Sequence, residues 1–332
     1  MRLFPCLLFL LLSVSIVAQK DSSKFTELKK TSKTSITSVV HAKSLNTASG
    51  IRKVGGKVEI KNQTLINGEK DDFSPIFIDN GLMFCSDSKK KKKNDKNDLE
   101  DYNLKFSTFD SLGNLTKPSS FSSRINSKYQ EGPSCFSNDA KTMYLTRVGD
   151  GTGKHVDRNG TATLKIFIKS KDSLGWFGND LFPFESNNYS YCHPTMSADG
   201  KKIFFASNMP GGFGGMDIYE IRKFPDGTWT QPINLGARVN TAKNEIFPYI
   251  SENGILYFSS NGLPNNKGGL DLYKIDLDER TARASALGEP YNSEADDFGI
   301  MFMPGSDKHG FFSSNRIGGN GGDDIYSFDI NE

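Results

Sequence analysis

Five segments of the chain repeat one order of signals, and this internal repetition limits the fold more than any other property of the sequence. The segments open at Asp72, Glu131, Tyr191, Glu245 and Asp297, so their spacings are 59, 60, 54 and 52 residues. Repetition at this period is typical of propellers and solenoids, in which one supersecondary unit is copied along the chain. The sequence therefore predicts a repeated small unit rather than one irregular core.

Each repeat contains two apolar runs joined by a tight turn. Asp199-Gly200 and Asn253-Gly254 are two of the turns, and such pairs supply the positive φ values that a short hairpin needs. The second run is continuously apolar rather than alternating, as in Leu82–Phe84 and Ile203–Phe205. Continuous apolarity in a short strand indicates burial on both faces. Stacked sheets would produce this burial.

A third signal is a glycine loop followed by an aspartate and an apolar strand. Gly214-Gly215-Met216-Asp217-Ile218-Tyr219 recurs with small changes at 268–273 and at 321–326, and a Ser-Asn pair precedes each loop. A fourth strand is expected from Trp229 to Leu235. Four strands in each repeat predict an all-β fold, the β-propeller.

The ends of the chain indicate how the ring closes. An asparagine stands five positions before four of the openings: Asn67, Asn126, Asn240 and Asn292. The third opening, Tyr191, departs from this five-residue spacing, because the asparagines before it are Asn187 and Asn188. If this asparagine marks the link between blades, residues 57–66 form the outer strand of the final blade. We therefore predict five four-stranded blades, with six as the alternative, closed by an N-terminal strand that leaves no long unpaired edge.

The loops and openings resemble the WD40-like repeats of TolB-type propellers, which occur in OmpA-family outer-membrane proteins of Gram-negative bacteria. The resemblance covers roughly residues 57 to 330. It implies a non-catalytic scaffold of the periplasm or outer membrane that presents loops to an outer-membrane or periplasmic protein. A secretion, motility or envelope assembly would be the setting. The alternative is a module that binds glycan or peptidoglycan, and a hydrolase on the propeller scaffold is the least favoured reading.

The N-terminal residues predict export. Arg2 precedes an apolar run from Leu3 to Val17, which is shorter than the roughly 20 residues of a membrane span. We expect a signal peptide over 1–19, a disordered linker over 20–50 and the propeller over 51–332, with no transmembrane segment after cleavage. The expected location is the periplasm, the periplasmic face of the outer membrane or the cell surface. The 41 Lys+Arg and 39 Asp+Glu leave a charge of +2, which excludes a strongly basic nucleic-acid binder.

The recurring acids are the first candidate site. Asp72, Glu131, Glu245 and Asp297 stand at equivalent openings, where a ring of carboxylates could bind a cation or a basic partner segment. The alternative is that each carboxylate accepts backbone N–H bonds in the turn between blades. Recurrence in nearly every blade favours this structural interpretation.

Positions where the repeat breaks are the other candidates. A run of five lysines, Lys89, Lys90, Lys91, Lys92 and Lys93, would attract anionic lipid, polysaccharide or an acidic protein face, unless it is only a solvated loop. Trp176 and Phe177 would form a docking patch if exposed, but they also fit the outer strand of blade two. An insertion from Gly149 to Thr163 with His155 lacks the alternating acids of a calcium loop.

Catalytic signatures are missing from the sequence. It contains four histidines, without a His-Glu-x-x-His pair or a Gly-x-Ser-x-Gly turn, the motifs that hold a catalytic zinc or a nucleophilic serine. We therefore expect a protein that is not an enzyme and that uses neither a cofactor nor a metal.

Overall fold

The computed structural model describes residues 39–40, 57–87, 102–127, 129–148, 162–184 and 186–331. These residues form five antiparallel sheets, and the innermost strands of all five line one shared axial cavity. The predicted all-β propeller of five blades is therefore confirmed, and the alternative of six blades is wrong.

The strands are short and are numbered in chain order. Two strands precede the first blade: β1 (Val39–Val40) and β2 (Lys57–Asn62). Blade one contains β3 (Asp72–Ile78), β4 (Gly81–Asp87), β5 (Tyr102–Thr108) and β6 (Ser119–Ser120). Blade two contains β7 (Glu131–Phe136), β8 (Thr142–Val148), β9 (Leu164–Asp172) and β10 (Gly175–Leu181). Blade three contains β11 (Tyr191–Met196), β12 (Lys202–Ser207), β13 (Asp217–Arg222) and β14 (Ile233–Asn234). Blade four contains β15 (Glu245–Ile250), β16 (Ile255–Ser260), β17 (Asp271–Asp276) and β18 (Ser285–Ala286). Blade five contains β19 (Asp297–Phe302), β20 (His309–Ser314) and β21 (Asp324–Asn331), completed by β2.

The second strand of each blade carries much of the core. Leu82 and Met83 in β4, and Phe204 and Phe205 in β12, are at most 1% exposed although the two side chains of each pair point to opposite faces. Phe205 packs against Phe182, which follows the outer strand of the preceding blade, with ring centroids 5.4 Å apart. Burial on both faces is the consequence of stacking blades side by side, as the continuous apolar runs predicted.

One outer strand is shorter than the sequence predicted. The expected strand from Trp229 to Leu235 is reduced to Ile233–Asn234, with Trp229 forming only an isolated bridge to Lys223. Pro232 lies between these two pairings and has no N–H to donate, so the ladder is interrupted there.

The N-terminal strand closes the ring. β2 pairs antiparallel with β21 from Lys57 opposite Asn331 to Asn62 opposite Tyr326, and β1 adds two further pairs on the outer side of β2. Val58 and Ile60 are buried in this sheet. The predicted closing strand is confirmed, although it ends at Asn62 and residues 63–66 belong to the link into blade one.

The recurring asparagines hold these links. The side-chain amide of Asn240 donates to the carbonyl of Ile218 (2.9 Å) and accepts from the N–H of the same residue (2.8 Å). The same two-point clamp joins three other pairs: Asn67 to Ile325, Asn126 to Leu104, and Asn292 to Leu272. The clamp satisfies buried backbone groups that the short outer strands leave unpaired.

The third link uses a different residue. The Lys165 ammonium, on β9 of blade two, donates to the carbonyls of Ser186 and Tyr189 (2.9 Å to Tyr189), and the hydroxyl of Ser190 accepts from Leu164 N–H at 3.1 Å. Ser190 thus bonds the N–H that the asparagine bonds in the other links, and the Lys165 side chain reaches from the sheet to the carbonyls of the link. That Asn187 or Asn188 marks this link stays a prediction.

Replacing one clamp is expected to destabilise the fold without changing it. Asn240→Ala would leave a buried N–H and a buried carbonyl of Ile218 without partners, and we expect the free energy of unfolding to fall by about 2 kcal/mol. Urea denaturation measures this loss. Asn253→Ala, at an exposed position, is the control. Equal stabilities of the two variants would contradict the role of the clamp.

Candidate functional site

The four recurring acids face the links between blades. Each accepts a hydrogen bond from the backbone N–H of the residue four positions earlier: Gly68 to Asp72 (2.6 Å), Ser127 to Glu131 (3.1 Å), Thr241 to Glu245 (2.7 Å) and Ser293 to Asp297 (2.5 Å). All four side chains are buried. This geometry is what the structural interpretation of the acids requires.

Burial also shifts the ionisation of three of these acids. Loss of hydration raises the pKa of Glu131 to about 7 and raises the pKa of Asp72 and of Glu245 above the ordinary range, against the hydrogen bonds that each carboxylate accepts. The carboxylate of Asp297, the fourth acid, accepts a hydrogen bond from the Arg316 guanidinium at 2.6 Å. None of the four lines the cavity on the propeller axis.

The axial cavity is small and contains no acid among the described residues that line it. All five inner strands contribute to a space of about 60 Å³. His193 lies there fully buried, with its ring stacked on Phe247 at 3.9 Å and its Nδ1 accepting from the Phe247 N–H. Burial lowers the pKa of His193 to about 3. Glycoside hydrolysis normally requires a pair of carboxyl groups flanking the bond, and this lining does not supply them.

The candidates at the breaks of the repeat have different positions. Lys89 to Lys93 and His155 lie outside the described residues. In β10, Trp176 is only 6% exposed under Lys171, whereas Phe177 is 51% exposed. Within the described ranges, no three His, Cys, Asp or Glu side chains form a group able to hold a metal ion, and no helix is long and apolar enough to cross a membrane.

A large cavity lies where the ring closes. This seam groove, of about 640 Å³, runs between blade five and blade one, and its lining comes from β2, β3, β20, β21 and the turns beside them. Cavities of this size are usual for ligand sites. The groove exists because β2, from the start of the chain, lies against strands from its end.

One wall of the seam groove is aromatic. Phe77 and Phe109 stack with centroids 6.1 Å apart and an interplanar angle of 27°, and Phe109 lies 6.5 Å from Phe311. Phe77 and Phe109 are half-buried, so their rings reach the groove, while Phe311 is buried behind them. Leu65 adds an exposed apolar side chain at the edge.

The rim of the seam groove offers both hydrogen-bond donors and hydrogen-bond acceptors. His309 and Asp329 stand opposite each other on β20 and β21, and His309 Nδ1 contacts the Asp329 carboxylate. Gln63 donates to the Ser327 hydroxyl at 2.8 Å. Lys61 and Asn80 are exposed beside them. The charges nearly balance, so the rim suits a neutral ligand with several hydroxyl groups.

Sequence reasoning missed this site because its residues have ordinary types for their positions. Phe77 occupies the same place in its repeat as Phe136 and Phe302, which makes it indistinguishable from a core residue. His309 and Asp329 are twenty positions apart and become neighbours only through strand pairing. The only available signal was Leu65, an apolar residue in a link.

Comparisons with known proteins identify no family for this chain. No family model matches the chain, and no curated protein matches it. A thermostable family-43 glycoside hydrolase has a TM-score of 0.47 and 14% identity, covering 80% of this chain and 91% of that chain. An endo-arabinase from Bacteroides thetaiotaomicron has a TM-score of 0.47 and 12% identity, covering 81% of this chain and 96% of that chain. A protein of unknown function from Dyadobacter fermentans has a TM-score of 0.45 and 11% identity, covering 82% of this chain and 99% of that chain. At this similarity the chemistry of those proteins is no guide to this one.

The resemblance to WD40-like repeats of TolB-type propellers is therefore wrong as a family assignment. The solved structures found include glycoside hydrolases and arabinofuranosidases. The motifs that suggested it have a local physical cause. A Cβ on Gly214, Gly268 or Gly321 would overlap a carbonyl oxygen of the following link, and the aspartate after each glycine pair accepts backbone N–H bonds from its loop. Blade geometry alone requires such residues.

Proposed function

We propose that this chain is a non-catalytic carbohydrate-binding β-propeller and that the seam groove is its binding site. The carrying observation is the Phe77–Phe109 wall beside the His309–Asp329 pair. A sugar ring has an apolar C–H face that packs on an aromatic ring and a rim of hydroxyl groups that donate to carboxylates and accept from amides. A concave, mostly apolar site with a few convergent polar groups is the usual form of a ligand site.

A non-enzymatic role is part of the same proposal. The axial cavity offers His193, serine, threonine and apolar side chains rather than two carboxyl groups. We also propose that the protein acts after export, in the periplasm or at the outer membrane, on the basis of the apolar run from Leu3 to Val17.

Affinity electrophoresis tests the binding proposal. The gels would contain a neutral polysaccharide (laminarin, xylan, arabinan or galactan) or the anionic alginate. We expect retardation by at least one neutral polysaccharide and a loss of about 2- to 12-fold in affinity for Phe109→Ala, since an aromatic contact contributes about 0.5–1.5 kcal/mol.

The control is Phe224→Ala, which removes an aromatic ring that is 50% exposed in blade three and does not line the seam groove. It should keep the affinity of the unaltered chain. Binding that both variants retain would contradict the seam groove as the site, and no retardation by any neutral polysaccharide would contradict carbohydrate binding itself.

A protein-interaction scaffold is the second candidate, favoured by the β9–β10 hairpin. Leu174, Phe177 and Leu181 are 76%, 51% and 44% exposed there, on an outer strand longer than those of blades one, three and four. Exposed apolar groups on a sheet edge can dock a partner. Loss of a co-purifying protein from Phe177→Ser/Leu181→Ser, with carbohydrate binding unchanged, would support the scaffold.

A further inference from the structure

A second cavity lies between blades four and five, separated from the seam groove by the β19–β20 hairpin. This ring pocket has a volume of about 310 Å³ and is lined by residues of β15, β16, β19 and two hairpins. Three aromatic side chains from three different strands meet in it: Tyr249, Tyr257 and Phe302. Its size is at the lower end of the range for small-molecule sites.

The three rings lie at angles to each other rather than in one stack. Tyr257 and Phe302 have centroids 5.0 Å apart at 51°, Tyr249 and Tyr257 are 6.3 Å apart at 47°, and Tyr249 and Phe302 are 6.1 Å apart at 25°. Both tyrosines are half-buried, and Phe302 is 8% exposed. Each of the three rings borders the pocket, and an aromatic ring attracts a cation that lies over its face.

Acidic groups lie at the mouth of the ring pocket. Glu252 on the β15–β16 hairpin accepts a hydrogen bond from the Gly305 N–H of the β19–β20 hairpin at 3.1 Å, and Asp307 follows on that second hairpin. Every described residue that lines the pocket is neutral or acidic. Burial raises the pKa of Tyr249 and of Tyr257 to about 12, and Glu252 and Asp307 respectively add to these shifts. Both carboxylates belong to residues that line the pocket.

A neighbouring cavity differs from the ring pocket in its aromatic rings and in its charges. Between blades three and four, a cavity of about 230 Å³ is also lined by hairpin acids, but it contains Lys202 and a single aromatic ring, Phe204. The Lys202 ammonium already places a positive charge beside the acids of that cavity. The ring pocket combines three rings and two acids with no cation among its described lining residues.

We propose that the ring pocket binds a small organic ammonium ion, with the three rings around the charged head and Glu252 and Asp307 at its exposed side. Two sources share this chemistry, a quaternary ammonium group and a protonated primary amine. The proposal is independent of the carbohydrate site, since the two cavities share only Met303 among their lining residues.

The test is an NMR titration of the full chain, observing tyrosine ring signals at constant ionic strength. Choline chloride represents the quaternary ion and n-butylammonium chloride the primary amine, while 3,3-dimethyl-1-butanol is the uncharged isostere of choline. We expect saturable shifts of Tyr249 and Tyr257 with at least one cation, and a clear preference over the alcohol. Choline alone would identify the quaternary source, and butylammonium alone the primary amine. Equal binding of the alcohol, or no saturable binding of either cation, would overturn the proposal.

Two sets of variants separate the rings from the charges. Glu252→Gln/Asp307→Asn should weaken cation binding about fivefold, because exposed carboxylates attract a cation only modestly through water. The control Glu294→Gln removes an exposed charge elsewhere and should leave the affinity unchanged. Tyr257→Leu should weaken binding about 3- to 30-fold, whereas Tyr257→Phe keeps the ring and should stay near the unaltered affinity. If Tyr257→Leu does not fold, the carboxylate variant and the uncharged isostere still decide. Unchanged affinity in the carboxylate variant would overturn the proposed role of the acids.

Discussion

Truncation before Gln63 is expected to abolish the cooperative unfolding transition, whereas truncation before Lys57 keeps it. The shorter chain loses β2, and with it all six residue pairs to β21 and the burial of Val58 and Ile60. Each buried side chain contributes about 1.5–3 kcal/mol, and the exposed edge of β21 loses its backbone bonds as well. The sum approaches the whole stability of a domain, about 5–15 kcal/mol. Differential scanning calorimetry of the two truncations makes the comparison.

Point variants and a peptide extend this test without changing the chain length. Val58→Asp/Ile60→Asp should melt far below the unaltered chain, while the control Glu59→Gln/Lys61→Gln alters the other face of the same strand and should not. A peptide of residues 57–67 should restore the transition of the shorter truncation by mass action. If both truncations melt at one temperature, the strand does not close the ring.

The sequence predicted the blades because their signals are local. An Asp-Gly or Asn-Gly turn, a continuously apolar run and a glycine loop each reflect a requirement within a few residues, and repetition makes each signal visible several times. The five inner strands begin at the predicted openings. The closing strand was predicted because a link asparagine, Asn67, already stands before the first opening. Such agreement between local preference and overall fold is what a well-specified sequence provides.

The cavities could not be predicted in the same way. Tyr249, Tyr257 and Phe302 come from inner and second strands of two blades, where an apolar residue is expected for packing, and the groove between blades arises only from their relative placement. Lys165 shows the same limit, because a lysine in an apolar strand gives no sign that its ammonium reaches the next link. Contacts between distant segments depend on side-chain reach, which residue type alone does not specify.

Opposite changes in the pH dependence of stability are expected when Glu131 and His193 are replaced singly. Burial raises the pKa of Glu131 from 4.5 to about 7. Between these values the folded chain binds more protons at Glu131 than the unfolded chain does, so this residue lowers stability as pH rises. Burial lowers the pKa of His193 from 6.5 to about 3. Between those values the unfolded chain binds more protons, so His193 lowers stability as pH falls.

The effects of Glu131 and His193 on stability oppose each other from pH 4.5 to 6.5. Replacing one of the two residues therefore reveals the effect of the other. Glu131→Gln should make the free energy of unfolding fall more steeply on acidification, and His193→Asn should make it fall less or rise. Asparagine suits this position because His193 has a φ of 54° and asparagine tolerates that region. Each slope should differ from the unaltered chain by up to about 1.4 kcal/mol per pH unit, the value for one proton.

Urea denaturation at several pH values measures these slopes, and the slope rather than the absolute stability is compared because each substitution also changes packing. Other buried acids, among them Asp72, Glu245 and Asp271, have a raised pKa and act in the same direction as Glu131; they are present in both variants and cancel in the comparison. Glu69→Gln, at an exposed position in a link, should reproduce the slope of the unaltered chain. Parallel profiles for Glu131→Gln and His193→Asn would show that these two buried groups do not titrate as their surroundings require.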